Sequence, residues 1–334
     1  RESAALAGDE ALEVTAALER VADARLSTDA VEAAHLYAIA GRPDGVERAL
    51  YRAIYQPLVA ASVEQLRRLG AVASTVDDRP IARLVDASVV HTGDEARSAE
   101  RFAHAAARAR AADDTSVEAL ALLHEFNMRW VVDARSIPDS LRRRAEVLAP
   151  EHPPAQTVHL TARALDALNV GDPVAAHDAL AALAPTSTAF DAVYHAFGML
   201  DIGRPELVVL PSDDRSVTST AVGLGGQHVA HALWLTGTVA PEVALALGQE
   251  LGTVSDEQQV SHVNVSTHAV LALVAVAAGE FGVAREHADQ AGRRAATTAS
   301  VAARTFARLA DAVVAIEEHG DAEAARRLER VLVD

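Results

Sequence analysis

Single glycines cut this chain into pairs of helices. The stretch LALVAVAAGEFGVAREHADQAGRRA runs from Leu271 to Ala295. Before Gly279, residues Leu271, Val274 or Ala275, and Ala278 share one helical face. After it, Phe281, Ala284, Ala288, Ala291 and Ala295 are spaced three, four, three and four. That is the apolar stripe of an amphipathic helix. Gly279 supplies the turn, because a left-handed φ costs glycine little. Two antiparallel helices joined so tightly form an αα-hairpin. One such pair cannot bury its outer apolar faces alone, so neighbouring pairs must stack on it.

The pattern recurs at Gly41, Gly171, Gly203, Gly237 and Gly320, with a weaker instance at Gly93. Intervals between the later turns are 32, 34, 42 and 41 residues, the irregular period of a helical-repeat array. After Gly171, Asp172 is placed to cap the next helix and Pro173 to occupy its first position. Thr115 with Glu118 and Ser255 with Gln258 fit capping boxes. Breaks are expected at 70–80, 134–138, 149–154, 184–188 and 209–217, with Val208–Gly226 the least helical stretch. Half the residues are apolar, mostly Ala, Leu and Val, and only 4% are aromatic. Alanine is the best helix former, and small side chains let helices approach closely. The fold class expected is all-α, an αα-hairpin repeat solenoid of some 14–16 helices. Residues 1–150 should be degenerate repeats, continuous with clearer ones over 151–334.

Absences narrow the chemistry. With no cysteine there are no disulfides, thiol nucleophiles or Cys-ligated metals; this fits a reducing cytoplasm. All thirty basic residues are Arg. A P-loop or Schiff-base enzyme needs lysine, so this chain by itself is neither. The net charge of −17 argues against direct nucleic-acid binding, and the short Arg clusters (67–68, 142–144, 293–294, 326–327) read as solvated helix surface. The longest apolar run, Ala269–Ala278, is about half a bilayer span. The N-terminus has neither an apolar signal segment nor a starting Met, and we expect a piece of a longer chain.

At its hairpins the chain resembles the tetratricopeptide repeat (TPR) family. The matching residues are Gly279, Ala284 and Ala288 in one unit and Gly171, Ala176 and Leu180 in another. The family's early Trp, its Leu-Gly pair and most closing prolines are missing. Degenerate Ala-, Arg- and Glu-rich repeats of this kind are similar to the helical sensor region of large bacterial LuxR-type, MalT-like transcriptional regulators. That resemblance implies attached NTPase and helix-turn-helix modules, and this chain carries the motifs of neither.

Candidate sites are few. His228 and His231 stand three apart, which places both rings on one helix face and suits one metal. No acid completes the set and there is no HExxH, so no metal and no cofactor is expected. Gly223–His228 resembles a phosphate loop but lacks the preceding strand and the lysine. Asp113-Asp114 resembles the acidic motif of α-helical terpene enzymes. The chain is too aromatic-poor for such a cavity, and a helix start fits better, with both acids on the positive dipole end and Thr115 as cap. No GxSxG motif is present and nothing selects a catalytic triad. Trp130, in EFNMRW, and Trp234 are either core or recognition surface; Tyr37, Tyr51, Tyr55 and Tyr194 share the ambiguity.

In TPR-like arrays the first helix of each pair faces a concave groove. That resemblance implies His195, His228, His231, Trp234, His262 and His268 as ligand- or partner-binding residues. The leading expectation is a non-catalytic region of a bacterial transcriptional regulator that binds a protein partner or a small-molecule effector. The alternatives are a stand-alone TPR-like scaffold and an α-helical enzyme with an unrecognised site.

Overall fold

The structure is a computed structural model and describes residues 2–55, 63–89, 95–183, 240–246, 248–249, 261–319 and 326. Among these every regular element is helical, and no strand occurs. The expected turns at Gly93, Gly203, Gly237 and Gly320 lie outside the described residues, as do the Ser255 cap, the breaks at 184–188 and 209–217, and Val208–Gly226.

The chain forms two compact units, Arg1–Val90 with Arg101–Ala121, and His91–Glu100 with Leu122–Asp334. This division follows packing, whereas the expected boundary at 150 follows the clarity of the repeats.

The first unit is built from α1 (Glu2–Arg25), α2 (Ala30–Ile39), α3 (Pro43–Tyr55), α4 (Val63–Ala73) and α5 (Pro80–Val89). Most of α6 (Glu95–Ala111) and the start of α7 (Thr115–Asp133) also belong to it. Helices α2 and α3 form one hairpin and α4 and α5 the next; α2 packs on α4 and α3 on α5. First helix on first and second on second is how stacked repeats cover each other's apolar faces. Tyr37, Leu50, Ile54, Leu69, Ile81 and Leu84 are all buried there. Gly45 lets α3 approach the Tyr37 ring, and an added Cβ would overlap that ring.

In the second unit α8 (Asp139–Leu148) packs on α9 (Pro153–Asn169), and α9 on α10 (Pro173–Ala181). Helix α11 (Ser261–Ala277) packs on both α12 (Phe281–Ala295) and α13 (Val301–His319). The alanine stripe of α12 does what its spacing requires: Ala284, Ala288 and Ala291 are buried in one core cluster with Val265, Ala269, Ala272 and Ala307. Phe281 departs from the expectation and is 45% exposed. It is the first residue of α12, at the hairpin tip, where α11 no longer extends to cover it.

Three hairpins close with one geometry. Gly41, Gly171 and Gly279 have φ of 66°, 76° and 76°. In each, the glycine N–H bonds three residues back, and the following N–H bonds five back. This double closure satisfies carbonyls that a helix end leaves open. Asp172 caps α10 by accepting from the Ala175 N–H at 3.0 Å, and Pro173 starts that helix.

A fourth turn has the same pattern without glycine. Asp113, between α6 and α7, has φ 55°; its N–H bonds to the Arg110 carbonyl and that of Asp114 to Ala109. The cap of α7 is therefore Asp114, whose Oδ1 accepts from the Val117 N–H at 3.0 Å. Thr115, expected to be the cap, is the first residue of the helix. Asp114 can cap because the turn has already placed it at the non-helical position that precedes the first turn.

Candidate functional site

Two polar clusters on α11 contain the candidate binding histidines that the structure describes, His262 and His268. Glu95 opens α6 and is only 2% exposed. Its Oε1 accepts from the Thr298 hydroxyl at 3.1 Å and lies 3.4 Å from His262 Nδ1. Its Oε2 accepts from the Ala299 N–H at 3.3 Å. Burial alone would raise the carboxyl pKa. The His262 bond and charge, with the backbone N–H groups of Glu95 and Ala299, outweigh burial and bring it from 4.5 down to about 2. The 298–300 linker is fixed in turn: the Ser300 N–H donates to Thr298 Oγ1, and Arg304 donates to the Thr298 carbonyl at 2.9 Å.

These groups do not form a hydrolytic relay. A relay needs the hydroxyl to give its proton to histidine while the carboxylate holds the other ring nitrogen. Here the Thr298 hydroxyl and His262 both bind the carboxylate. The arrangement is a staple within the second unit that joins the first residue of α6 to α11 and the α12–α13 linker.

His268, 5% exposed, meets His287 of α12 with Nδ1 atoms 3.0 Å apart. His262 and His268 thus sit in interior contacts of the second unit. His195, His228, His231 and Trp234 lie outside the described residues. The structure therefore pairs two of the six candidates, each with a different partner. Sequence reading missed Glu95 and His287. Glu95 looks like any acid at a helix start, and His287 stands beside the alanine stripe of α12, half-buried, where nothing in the local spacing marks it.

The aromatic candidates divide. Phe126 and Met128 are buried, and Trp130 is partly buried with its ring centre 6.4 Å from that of Phe126. Glu125, 6% exposed, is held by Arg129 at 2.7 Å. Tyr37 is core. Tyr51 gives its hydroxyl hydrogen to Asp114 Oδ2, so one aspartate both caps α7 and anchors α3. Among the described residues no three His, Asp or Glu side chains gather so as to hold a metal ion. No helix among them is long and apolar enough to cross a membrane.

No protein-family model and no curated protein matches the chain. Among solved structures it aligns with a chain of the APC/C hetero-tetramer Cut9–Hcn1, at a TM-score of 0.47 and 11% identity. The alignment covers 89% of this chain and 61% of that one.

Proposed function

We propose that the chain is a non-catalytic, protein-binding scaffold of TPR-like helical hairpins. The observation that carries this reading is at the hairpin tips. Beside each of the three turn glycines a large apolar side chain faces solvent: Ile39 at 60%, Val170 at 80% with Val174 at 69%, and Phe281 at 45%. Single exposed apolar residues are ordinary. They stand at different positions relative to the glycine, but their recurrence within three residues of all three turn glycines supports contact with other proteins. The −17 charge favours partners with basic surfaces.

The narrower reading, a sensor region of a LuxR-type regulator, depends on modules outside this sequence, so the scaffold is preferred. Contact through His195, His228, His231 and Trp234 belongs to this proposal as its groove component. The test is affinity capture from source-cell lysate with the wild-type chain and with the Val170→Asp, Val174→Asp variant. The expected result is a defined protein that the wild type retains and the variant loses. Identical capture by both would remove the tips from the reading. Saturable binding of a small molecule by calorimetry, with no protein captured, would favour the effector reading.

A further inference from the structure

His268 and His287 face each other across the α11–α12 hairpin. Their ring centres are 5.2 Å apart, the planes are inclined by 29°, and the two Nδ1 atoms are 3.0 Å apart. Nitrogens can be that close at that centre separation only if both lie near the line joining the ring centres. Each lone pair then points at the other nitrogen, which is the geometry of an N–H···N hydrogen bond. A zinc ion between two nitrogens meeting head-on would need about 2.0–2.1 Å to each, and so a wider gap. One proton fits there.

We infer that the His268–His287 pair is an acid-sensitive latch on the α11–α12 hairpin, holding one proton between its Nδ1 atoms and unable to hold two. In the neutral pair one ring carries its hydrogen on Nδ1 and donates; the other carries it on Nε2 and accepts. A first added proton goes to the unprotonated Nε2 of the donor ring and makes the bond charge-assisted. A second must go to the accepting Nδ1. That sets N–H against N–H at a distance where only one hydrogen fits, with two positive rings in contact.

Among the described residues, the positions one turn from His268 are Asn264, Val265, Leu271 and Ala272, and those one turn from His287 are Val283, Ala284, Gln290 and Ala291; none of these eight is ionisable. On α11, His262 is bound to Glu95 of α6. On α12, Glu286 and Asp289 are exposed, and Arg285 pairs with Asp311 of α13 at 3.6 Å. On α13, Arg304 is held by the Thr298 carbonyl, and Arg308 is exposed.

In an opened hairpin each ring takes a proton below about pH 6.5. Below that pH the opened form binds about one proton more than the closed form, so acid favours opening, by about tenfold per pH unit. The test is hydrogen exchange on the whole chain between pH 7.5 and 5. After correction for intrinsic exchange, amide protection in α11 and α12 should fall about tenfold per pH unit below 6.5. The His287→Gln variant, which keeps a hydrogen-bonding partner for His268 but removes the second charge, should abolish that slope. Equal slopes in the two proteins, or none in the wild type, overturn the latch. If His287→Gln does not fold, imidazole nitrogen NMR of the wild type decides. One shared Nδ1 proton is expected, and two fully protonated rings in a closed hairpin would overturn the inference.

Discussion

Replacing Glu95 by Gln tests whether a single carboxylate holds three distant segments together. The folded protein lowers the Glu95 pKa from 4.5 to about 2. At about 1.36 kcal/mol per unit, that is roughly 3 kcal/mol of preference for the charged form in the folded state. Because the side chain is almost fully buried, solvent screening takes little from this. Glutamine keeps one acceptor oxygen but turns an amide donor toward groups that already donate, the Thr298 hydroxyl and the Ala299 N–H. The expected loss at pH 7 is about 2–3 kcal/mol. The contribution of Glu95 is fully present above its unfolded pKa of 4.5 and is lost as pH falls through about 2. The gap between wild type and variant should therefore shrink to less than half by pH 3. Urea unfolding at both pH values, followed by circular dichroism and tryptophan fluorescence, measures it. A variant within about 0.5 kcal/mol of wild type at pH 7, outside the range set for a buried pair, would refute the staple. So would a gap that does not shrink in acid.

The turns and core offer further checks. Gly279→Ala meets no atom within 4 Å but must hold φ at 76°, so it should cost about 1 kcal/mol in thermal or urea unfolding through backbone strain alone. Asp113→Gly, at φ 55°, should go the other way and stabilise by about 0.5 kcal/mol; destabilisation would mean that the Asp113 side chain contributes more than its backbone strain costs. Gly45→Ala drives a methyl into the buried Tyr37 ring and should cost about 1–3 kcal/mol, seen as a lower urea midpoint with native helix content. Tyr51 should resist ionisation: burial first, then its bond to Asp114 and the charges of Asp114 and Glu47, push its pKa well above 10. Absorbance at alkaline pH should show Tyr51 silent until the first unit unfolds, and Tyr51→Phe should leave the native titration unchanged.

The repeat was legible where local backbone chemistry decides it. Gly171-Asp172-Pro173 carries its turn, cap and first helical residue in three consecutive letters, and all three take those roles. Reading failed where one residue type does another's work. Asp113 adopts the left-handed turn that glycine signals elsewhere, so the α6–α7 junction reads in sequence as a helix start although it is a fourth instance of the hairpin turn. Phe281 fits the apolar stripe by spacing, but its place at the helix end leaves it about half exposed. First-helix position in a TPR-like array points His262 and His268 toward a groove, and sequence position alone cannot tell a groove from the interior contacts they make.

Spacing of alanines, the turn glycines and their following caps are enough to write down helical hairpins from this sequence. Each depends on residues within about one turn of one another, and such contacts form wherever the chain lies. The absence of lysine and cysteine excludes whole chemistries without any coordinates. Glu95 and the two histidine pairings are different in kind. Glu95 meets residues 167 to 204 positions away, and His268 meets His287 only because the hairpin folds α12 back along α11. Helix periodicity says which face a side chain occupies. Which side chain from a distant segment comes to stand opposite it depends on how the hairpins stack, and that was decided only in the tertiary structure.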